Sequence, residues 1–467
     1  MFRTRNYNRV ISRSGKRKFS SLPFFICGAE QTRRMKKVSS YIIVILLLFT
    51  SLMPVFAQKT FDNWLKMKEG AKIEPFIMLQ LWSTYSMGQE VYNNSAAHYD
   101  PVEDRFNLLL RRARLGFKAE PYQGLQFNFI AAYDLLGRDV NSAIVGGDNN
   151  GSQPEFYIWD AFLQWKVNKS NESLNIIAGY FRPQISRESI TSAWAVNSME
   201  KAMSQNYIRH HLVGSGPGRA LGINLGGLLS HHKINYNIGV FNPVYHSNGG
   251  NSTGKNFSPL LVGRIAYNIG NPEMDHYKIS YDNNYYNQRN GLTLAAGGAW
   301  QGKTDLFIES YTASADALLN LGAFNFDGEW NWLWRDGERT LADQQLRSFT
   351  YLSQAGHIRA GYNMILSNKY FLEPSFMLMH FNGAKNTLKQ ADAQAIKASS
   401  GSETTYDIGI NWYLNKKNLK LALHYTWREG DPGDAGDGAT VNQFFNQTDV
   451  GAIRRGNWLG LGLSAIF

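Results

Sequence analysis

The chain has 467 residues, of which 43% are hydrophobic and 13% aromatic, with a formal net charge of +11 and one cysteine. The charge is unevenly placed: residues 1 to 57 carry 11 Lys/Arg against one acidic residue, Glu30, while the remaining 410 carry 37 basic and 36 acidic residues, a net of +1. A nearly neutral body excludes nucleic-acid binding driven by counterion release, and with Cys27 confined to the leader the body has no disulfide framework, thiolate zinc site or catalytic thiol.

Residues 1–34 are basic, Ser-rich and without apolar periodicity; they read as an extension upstream of a start at Met35 and take no assigned function. Residues 35–57 have the anatomy of a secretory signal: Lys36 and Lys37, an apolar run from Tyr41 to Phe49, then Pro54 and the small-residue site ending at Ala57. The expected mature domain is 58–467. The apolar run falls short of the roughly 20 residues a spanning helix needs, and no later stretch approaches that length. A membrane β-barrel escapes this test, because its strands alternate and average out in any hydropathy window.

From Ile73 onward the dominant signal has period two. Sixteen alternating segments begin near Ile73, Phe106, Leu125, Phe156, Leu174, Ala220, Lys233, Leu260, Leu292, Ser314, Ala323, Ser348, Tyr370, Thr404, Leu419 and Trp458. In the fourth, Tyr157, Trp159, Ala161, Leu163 and Trp165 oppose Asp160, Gln164 and Lys166. In the eleventh, Phe324, Phe326, Trp330, Trp332 and Trp334 oppose Asn325, Asp327, Glu329, Asn331 and Arg335. Such segments are longer than the roughly five or six residues of a water-soluble strand and suit a tilted strand crossing a bilayer, which takes about 9–11. Short connections such as 120–124 and 415–418 alternate with long polar ones (86–104, 137–154, 245–259, 386–402 and 429–453), the asymmetry of an outer-membrane barrel. The expected fold is an all-β transmembrane antiparallel β-barrel of about 16 strands. A soluble β-sandwich or β-helix is the alternative.

The run Phe106 to Lys118, with Arg111, Arg112 and Arg114, resembles a strand of the phosphate-selective porin O and P family. So do Trp159-Asp160-Ala161, the stretch Ile177 to Glu188 with Arg182-Pro183 and Arg187, Tyr236 to Asn242, and Phe326 to Trp330, in that order and with a terminal Phe467. The resemblance implies a trimeric 16-stranded outer-membrane channel of a Gram-negative bacterium, whose third loop folds inward to constrict the pore.

A channel selects by pore width and by the charge at its constriction. Arg112, Arg114 and Lys118 share one parity. An Arg on the lipid face at mid-membrane costs about 2–4 kcal/mol, so this register sends all three to the lumen. Arg111 is then left pointing outward unless it lies at a rim or in a bulge. The segment from Arg182 to Arg219 is the candidate infolded loop; it carries Arg182, Arg187, Lys201, Arg209, His210, His211 and Arg219 against Glu188 and Glu200. Positive charge in a low-dielectric constriction attracts anions. Asp134, Asp160, Asp316, Asp327, Glu329 and Asp407 also fall on the lumen parity, so the lumen is of mixed charge. The Arg cluster could equally serve to pair those carboxylates and stabilise the wall.

Other motifs carry less. Gly214-Ser-Gly216-Pro-Gly218 follows no strand of a βαβ unit and reads as a hinge rather than a nucleotide loop. The pairs His210-His211 and His231-His232 lack a third metal ligand at suitable spacing, and Asp431, Asp434 and Asp437 lack EF-hand spacing. No metal or cofactor is expected. The leading function is a passive channel for small hydrophilic solutes, anion-preferring, with phosphate as one candidate and the lipid bilayer as surroundings. The alternatives are an outer-membrane hydrolase barrel, which needs convergent Ser, His and carboxylate, and a structural or adhesive barrel.

Overall fold

The computed structural model describes residues 72–142, 144, 154–214, 217–243, 251, 255–367, 370–433, 445–447 and 450–467. The upstream extension 1–34, the signal segment 35–57, Ser215 and Gly216 of the Gly-rich hinge, and Asp434 and Asp437 lie outside the described residues.

Sixteen strands form the wall: β1 (Lys72–Met87), β2 (Arg105–Tyr122), β3 (Leu125–Leu136), β4 (Phe156–Lys166), β5 (Asn175–Phe181), β6 (Ala220–Leu229), β7 (Ile234–Asn242), β8 (Leu260–Gly270), β9 (Asn290–Gln301), β10 (Glu309–Leu321), β11 (Phe324–Thr340), β12 (Leu346–Tyr362), β13 (Phe371–Asn382), β14 (Ser402–Asn415), β15 (Leu419–Asp431) and β16 (Asn457–Ile466). Each pairs antiparallel with its neighbours in sequence. The ring closes where β1 meets β16, with Met78 opposite Ile466 and Met87 opposite Asn457. The ring has no free edge strand, which is what a bilayer demands of a spanning sheet.

The alternation read from the sequence sorts the two faces. On β11, Asn325, Asp327, Glu329, Asn331, Leu333 and Arg335 are buried toward the lumen, whereas Phe324, Trp332 and Trp334 alternate with them on the outer face. On β16, Leu459, Leu461 and Leu463 are exposed outward. The strand starts expected from periodicity fall within a few residues of the observed ones, including those at Leu260 and Ser348.

Of four register shifts in the described wall, two lie near strand ends and two within the strands; the latter two break that parity at residues of the lumen. Gln80 pairs with Arg112 and Leu81 with Leu110, which leaves Arg111 as an extra residue on β2. Ile130 pairs with Asp160 and Ala131 with Ile158, which leaves Trp159 as an extra residue on β4. A bulge puts two residues opposite one and rotates the strand. Arg111 and Arg112 therefore both face inward and are buried. Trp159 does not share the outer face of Leu163 and Trp165, as strict alternation predicts; it is buried in the lumen beside Asp160.

Two segments occupy the lumen from opposite ends. From the long-loop end, residues 182–214 and 217–219 fold inward and carry α1 (Arg187–Ile190) and α2 (Ser204–Val213), whose residues are all buried. From the short-turn end, residues 271–289, which no sequence signal marked, rise to meet them: Thr191 and Tyr281 form a parallel bridge, and Ser192 N donates to Tyr281 O at 3.0 Å. Missing side chains in the wall make room. A Cβ at Gly297 of β9 would stand 2.3 Å from Ile185 O, and one at Gly226 of β6 would stand 2.0 Å from Tyr277 Oη. Together the two segments build an apolar core inside the barrel, with Tyr207, Ile208, Leu212, Tyr277 and Tyr281 packed against Phe181, Phe241, Met379 and Phe381. The Tyr207 and Phe381 rings stack at 3.6 Å. Sealing such a side chain from water stabilises by about 1.5–3 kcal/mol each, so this part of the lumen is packed protein rather than water.

The long connection 386–402 is not simply an external loop. Asn386 accepts from Lys389 N and caps α3 (Thr387–Ala395), and Asp392 of that helix pairs with Arg339 and Arg347 at the rim. Strands Gln89–Asn93 and His98–Val102 form a small separate sheet with Gly451–Arg454 above the barrel.

Candidate functional site: a cationic chamber against one wall

The infolded loop is held by ion pairs reaching in three directions. Toward β2, Glu200 is clamped by Arg111 Nε at 2.6 Å and Arg112 Nη2 at 2.5 Å. Toward β11 and β12, Glu188 accepts from Arg359 Nη2 at 2.8 Å, and the same nitrogen donates to Asp327 at 2.8 Å. Toward the segment from the other end, Arg187 donates to both Glu273 oxygens, at 2.7 and 3.1 Å, and to Asp316 at 3.1 Å, with Arg264 of β8 completing the pairing of Asp316 at 2.8 Å. Burial alone would push these carboxyls up; instead Arg359 holds Glu188, Arg111 holds Glu200 and Arg187 holds Glu273 each down at about 2.

This packing leaves a cavity of about 520 Å³ on the side of the lumen bounded by β1 to β4 and β13 to β16. Its lining runs from Ile144, Arg428 and Trp458 toward the long-loop end to Glu74, Lys118, Lys278 and Lys417 at the short-turn end, so it follows the wall along the barrel axis. Eleven lining side chains are cationic and five are acidic, a marked excess for a chain whose body is close to neutral.

At its centre the Trp159 indole lies between two guanidinium groups, Arg114 Cζ and Arg219 Cζ, each 3.6 Å from the ring centroid. Both cannot sit over one face, so they cover opposite faces, a cation–π sandwich. Each has its own carboxylate: Arg114 donates to Asp134 at 3.0 Å and Arg219 to Asp160 at 3.2 Å. Three cations of the loop differ. Among the described residues no carboxylate lies within ion-pair distance of Arg182, Lys201 or Arg209. Arg182 Nη1 donates to Ser189 O at 2.8 Å and Thr191 O at 3.2 Å. Arg209 Nη2 donates to Ser189 O at 3.2 Å. Lys201 Nζ donates to Thr191 O at 2.7 Å and to Glu188 O. Burial, reinforced by Arg219, lowers Arg182 to about 9; burial and Arg219 also push Arg209 well below its ordinary value, and burial with Arg209 does the same to Lys201. Gly218, at a φ of 66° that favours glycine, lets the loop's return pass against Arg209: a Cβ there would stand 2.3 Å from Arg209 Cγ.

Of the residues expected from the sequence, Arg112, Arg114, Lys118, Arg182, Lys201, Arg209 and Arg219 line this chamber. Arg187, His210 and His211 do not: Arg187 is fully buried in its ion-pair network, and His211 Nε2 lies 2.9 Å from Tyr311 O on the far wall. The expected lumen acids Asp134, Asp316, Asp327, Glu329 and Asp407 are buried and hydrogen-bonded. Parity counting placed Trp159 outward and left Arg111 open between an outward position, a rim and a bulge; the structure puts a bulge at both residues. The parity count also missed Trp194, Lys278, Asp282 and Arg428, which come from the infolded segments or from strand ends.

Two other constellations are closed. Glu188, Asp327 and His357 stand close enough to share a metal ion, but the Arg359 guanidinium lies between the two carboxylates and fills a cation's place. Ser204 Oγ lies 3.5 Å from His357 Nδ1, and His357 Nε2 lies 3.0 Å from Asp327, the contact order of a hydrolase triad. The Ser204 hydroxyl donates instead to Glu329 at 3.0 Å, and Ser204 is fully buried outside the chamber.

The family model described as "Phosphate-selective porin O and P" matches residues 88–433. No curated protein sequence matches the chain. Among solved structures, the fold is similar to OmpF of Salmonella typhi in complex with daunomycin, at a TM-score of 0.51 and 11% identity over 85% of this chain and 98% of that one. It is also similar to OprB of Pseudomonas putida at high pH, at a TM-score of 0.50 and 9% identity over 87% and 96%. An anion-selective porin from Comamonas acidovorans aligns at a TM-score of 0.49 and 12% identity, over 85% of this chain and 100% of that one.

Proposed function

Because the chain belongs to the phosphate-selective porin O and P family, and so is a channel of the outer membrane of a Gram-negative bacterium, we propose that it passes small solutes passively and prefers anions. The observation that carries this reading is the cationic excess of the chamber along one wall. Fixed positive charge in a narrow, low-dielectric passage concentrates anions and excludes cations. The constriction is the infolded loop, and Arg182, Lys201 and Arg209 are the positions where its charge is not already spent on a carboxylate. Phosphate is one candidate among small anions. Export through the signal segment 35–57 and assembly as a homotrimer are part of the same proposal, drawn from the sequence and the family.

The test is the reversal potential of the purified protein in a planar bilayer across a potassium chloride gradient. The expected sign is that of chloride permeation, reduced when Arg182→Gln and Arg209→Gln are combined. Cation selectivity, or no conductance, refutes the reading.

A further inference from the structure

Three buried cations without carboxylate partners are costly for a protein to hold, since an uncompensated charge loses its hydration. Several buried cations of this lumen have an acid supplied by the chain: Asp134 for Arg114, Asp160 for Arg219, Glu273 and Asp316 for Arg187, Glu403 for Arg455. Arg289, Arg335 and Lys420 bond to neutral oxygens but do not line the chamber, and Arg428, at its long-loop end, donates to Ile144 O. Around Arg182, Lys201 and Arg209 it supplies only backbone carbonyls. Donors are in excess as well: Arg209 Nε, Arg114 Nε and Trp194 Nε1 are buried with no acceptor among the described residues. A solute rich in acceptors answers both deficits.

The remaining wall narrows the class of that solute. A bare, strongly hydrated oxyanion needs polar donors on all sides to replace its water shell. The same chamber also presents Phe162, Met203, Ile279 and Trp194, from β4 and from both infolded segments. Phe162, Met203 and Ile279 offer no hydrogen-bond donor and, with the Trp194 ring, suit a hydrocarbon or aromatic body, as ligand sites combining a few charged groups with apolar walls do. Thioether side chains such as Met203 adapt to varied shapes and make favourable contacts with aromatic rings.

Resting on the anion-preferring reading above, we propose that this chamber is a binding site for an organic oxyanion. Its single carboxylate or phosphate head is held by Arg182, Lys201 and Arg209, and its apolar body packs against Phe162, Met203 and Ile279. The channel is then saturable, with the solute pausing at the loop instead of diffusing past it.

The experiment is calorimetric titration of the detergent-solubilised full protein with four probes, phenylphosphate, phenylacetate, inorganic phosphate and acetate, together with block of chloride current by the same four. Phenylphosphate and phenylacetate are expected to bind about ten-fold more tightly than phosphate and acetate, a difference of the size one buried apolar group supplies. Arg209→Gln should weaken all four, whereas Met203→Ser should weaken only the aromatic pair. Equal affinity within each pair, or loss of all four probes equally in Met203→Ser, overturns the proposal; Phe162→Asn provides the same apolar test from the wall should the loop variant not fold. Tight binding of inorganic phosphate alone also overturns it. Since binding is read without current, a protein that does not conduct refutes the porin reading and leaves this one still decided by the titration.

Discussion

Replacing Arg187 with Met tests whether the infolded loop is a fixed part of the pore. The side chain is fully buried, and it is the only cation within ion-pair distance of Glu273 among the described residues, at 2.7 Å, whereas Asp316 keeps Arg264 at 2.8 Å. Removing it leaves Glu273 as an unpaired buried carboxylate between the two infolded segments. Breaking a buried pair from one side costs about 3–5 kcal/mol, which shifts the docked-to-undocked equilibrium of the loop by about two to four decades. The wall is unaffected, because its ladder does not involve Arg187. Hydrogen exchange of the reconstituted protein, followed by mass spectrometry, should show lost protection in residues 185–213 and 271–289 and unchanged protection in β9 to β12. Adding Glu273→Gln should restore most of the protection, since the stranded charge is gone. Unchanged exchange in the single variant, or a double variant worse than the single, refutes the strut.

Gly297→Val should push the start of the loop off β9, because a Cβ would stand 2.3 Å from Ile185 O; the cost is about 1–3 kcal/mol of overpacking, seen as a noisier and larger single-channel current. Arg111→Leu removes one of the two clamps on Glu200, worth about 1.5–3 kcal/mol for a hydrogen bond to a charged group, and should raise protease sensitivity near residue 200 without unfolding the barrel. Acid should release the loop late. Glu188, Glu200 and Glu273 titrate at about 2 when folded against an ordinary value of 4.5, so their stabilisation is complete above about pH 4.5 and is lost as pH falls toward 2. Current noise should therefore stay flat from pH 7 to about 4.5 and rise below it, and a rise already at pH 6 contradicts the assignment. Gly218→Ala should displace Arg209 and lower anion selectivity in the reversal-potential assay.

The wall was legible because a bilayer imposes one rule on every strand. Outward residues such as Leu459, Leu461 and Leu463 must be apolar whatever the lumen does, so the period-two signal survives without an alignment. The inward turn of the loop 182–219 was legible from its length, charge and likeness to a family. The adjacent arginines raised a bulge at Arg111 as one option, but nothing marked the one at Trp159, whose apolar ring fits the outward parity; the pairing of Ile130 with Asp160 and of Ala131 with Ile158 reveals it. The segment 271–289 was missed for another reason. Its ends, Gly270 and Asn290, look like any turn, and what draws it inward is space at Gly226 and the carboxamides of Asn224 and Asn237 bonded to Tyr277, contacts far apart in sequence. Arg187, His210 and His211 show the opposite failure: a charged or titratable residue on a pore loop can face away from the pore.

The loop's anchors lie on either side of the seam that closes the ring. Glu200 is held from β2 and Glu188 from β12, and the two strands that seal the ring, β1 and β16, lie between them. The loop spans the ring like a brace, so the same ion pairs that narrow the passage also tie β2 to β12 across the lumen and oppose their separation at the seam.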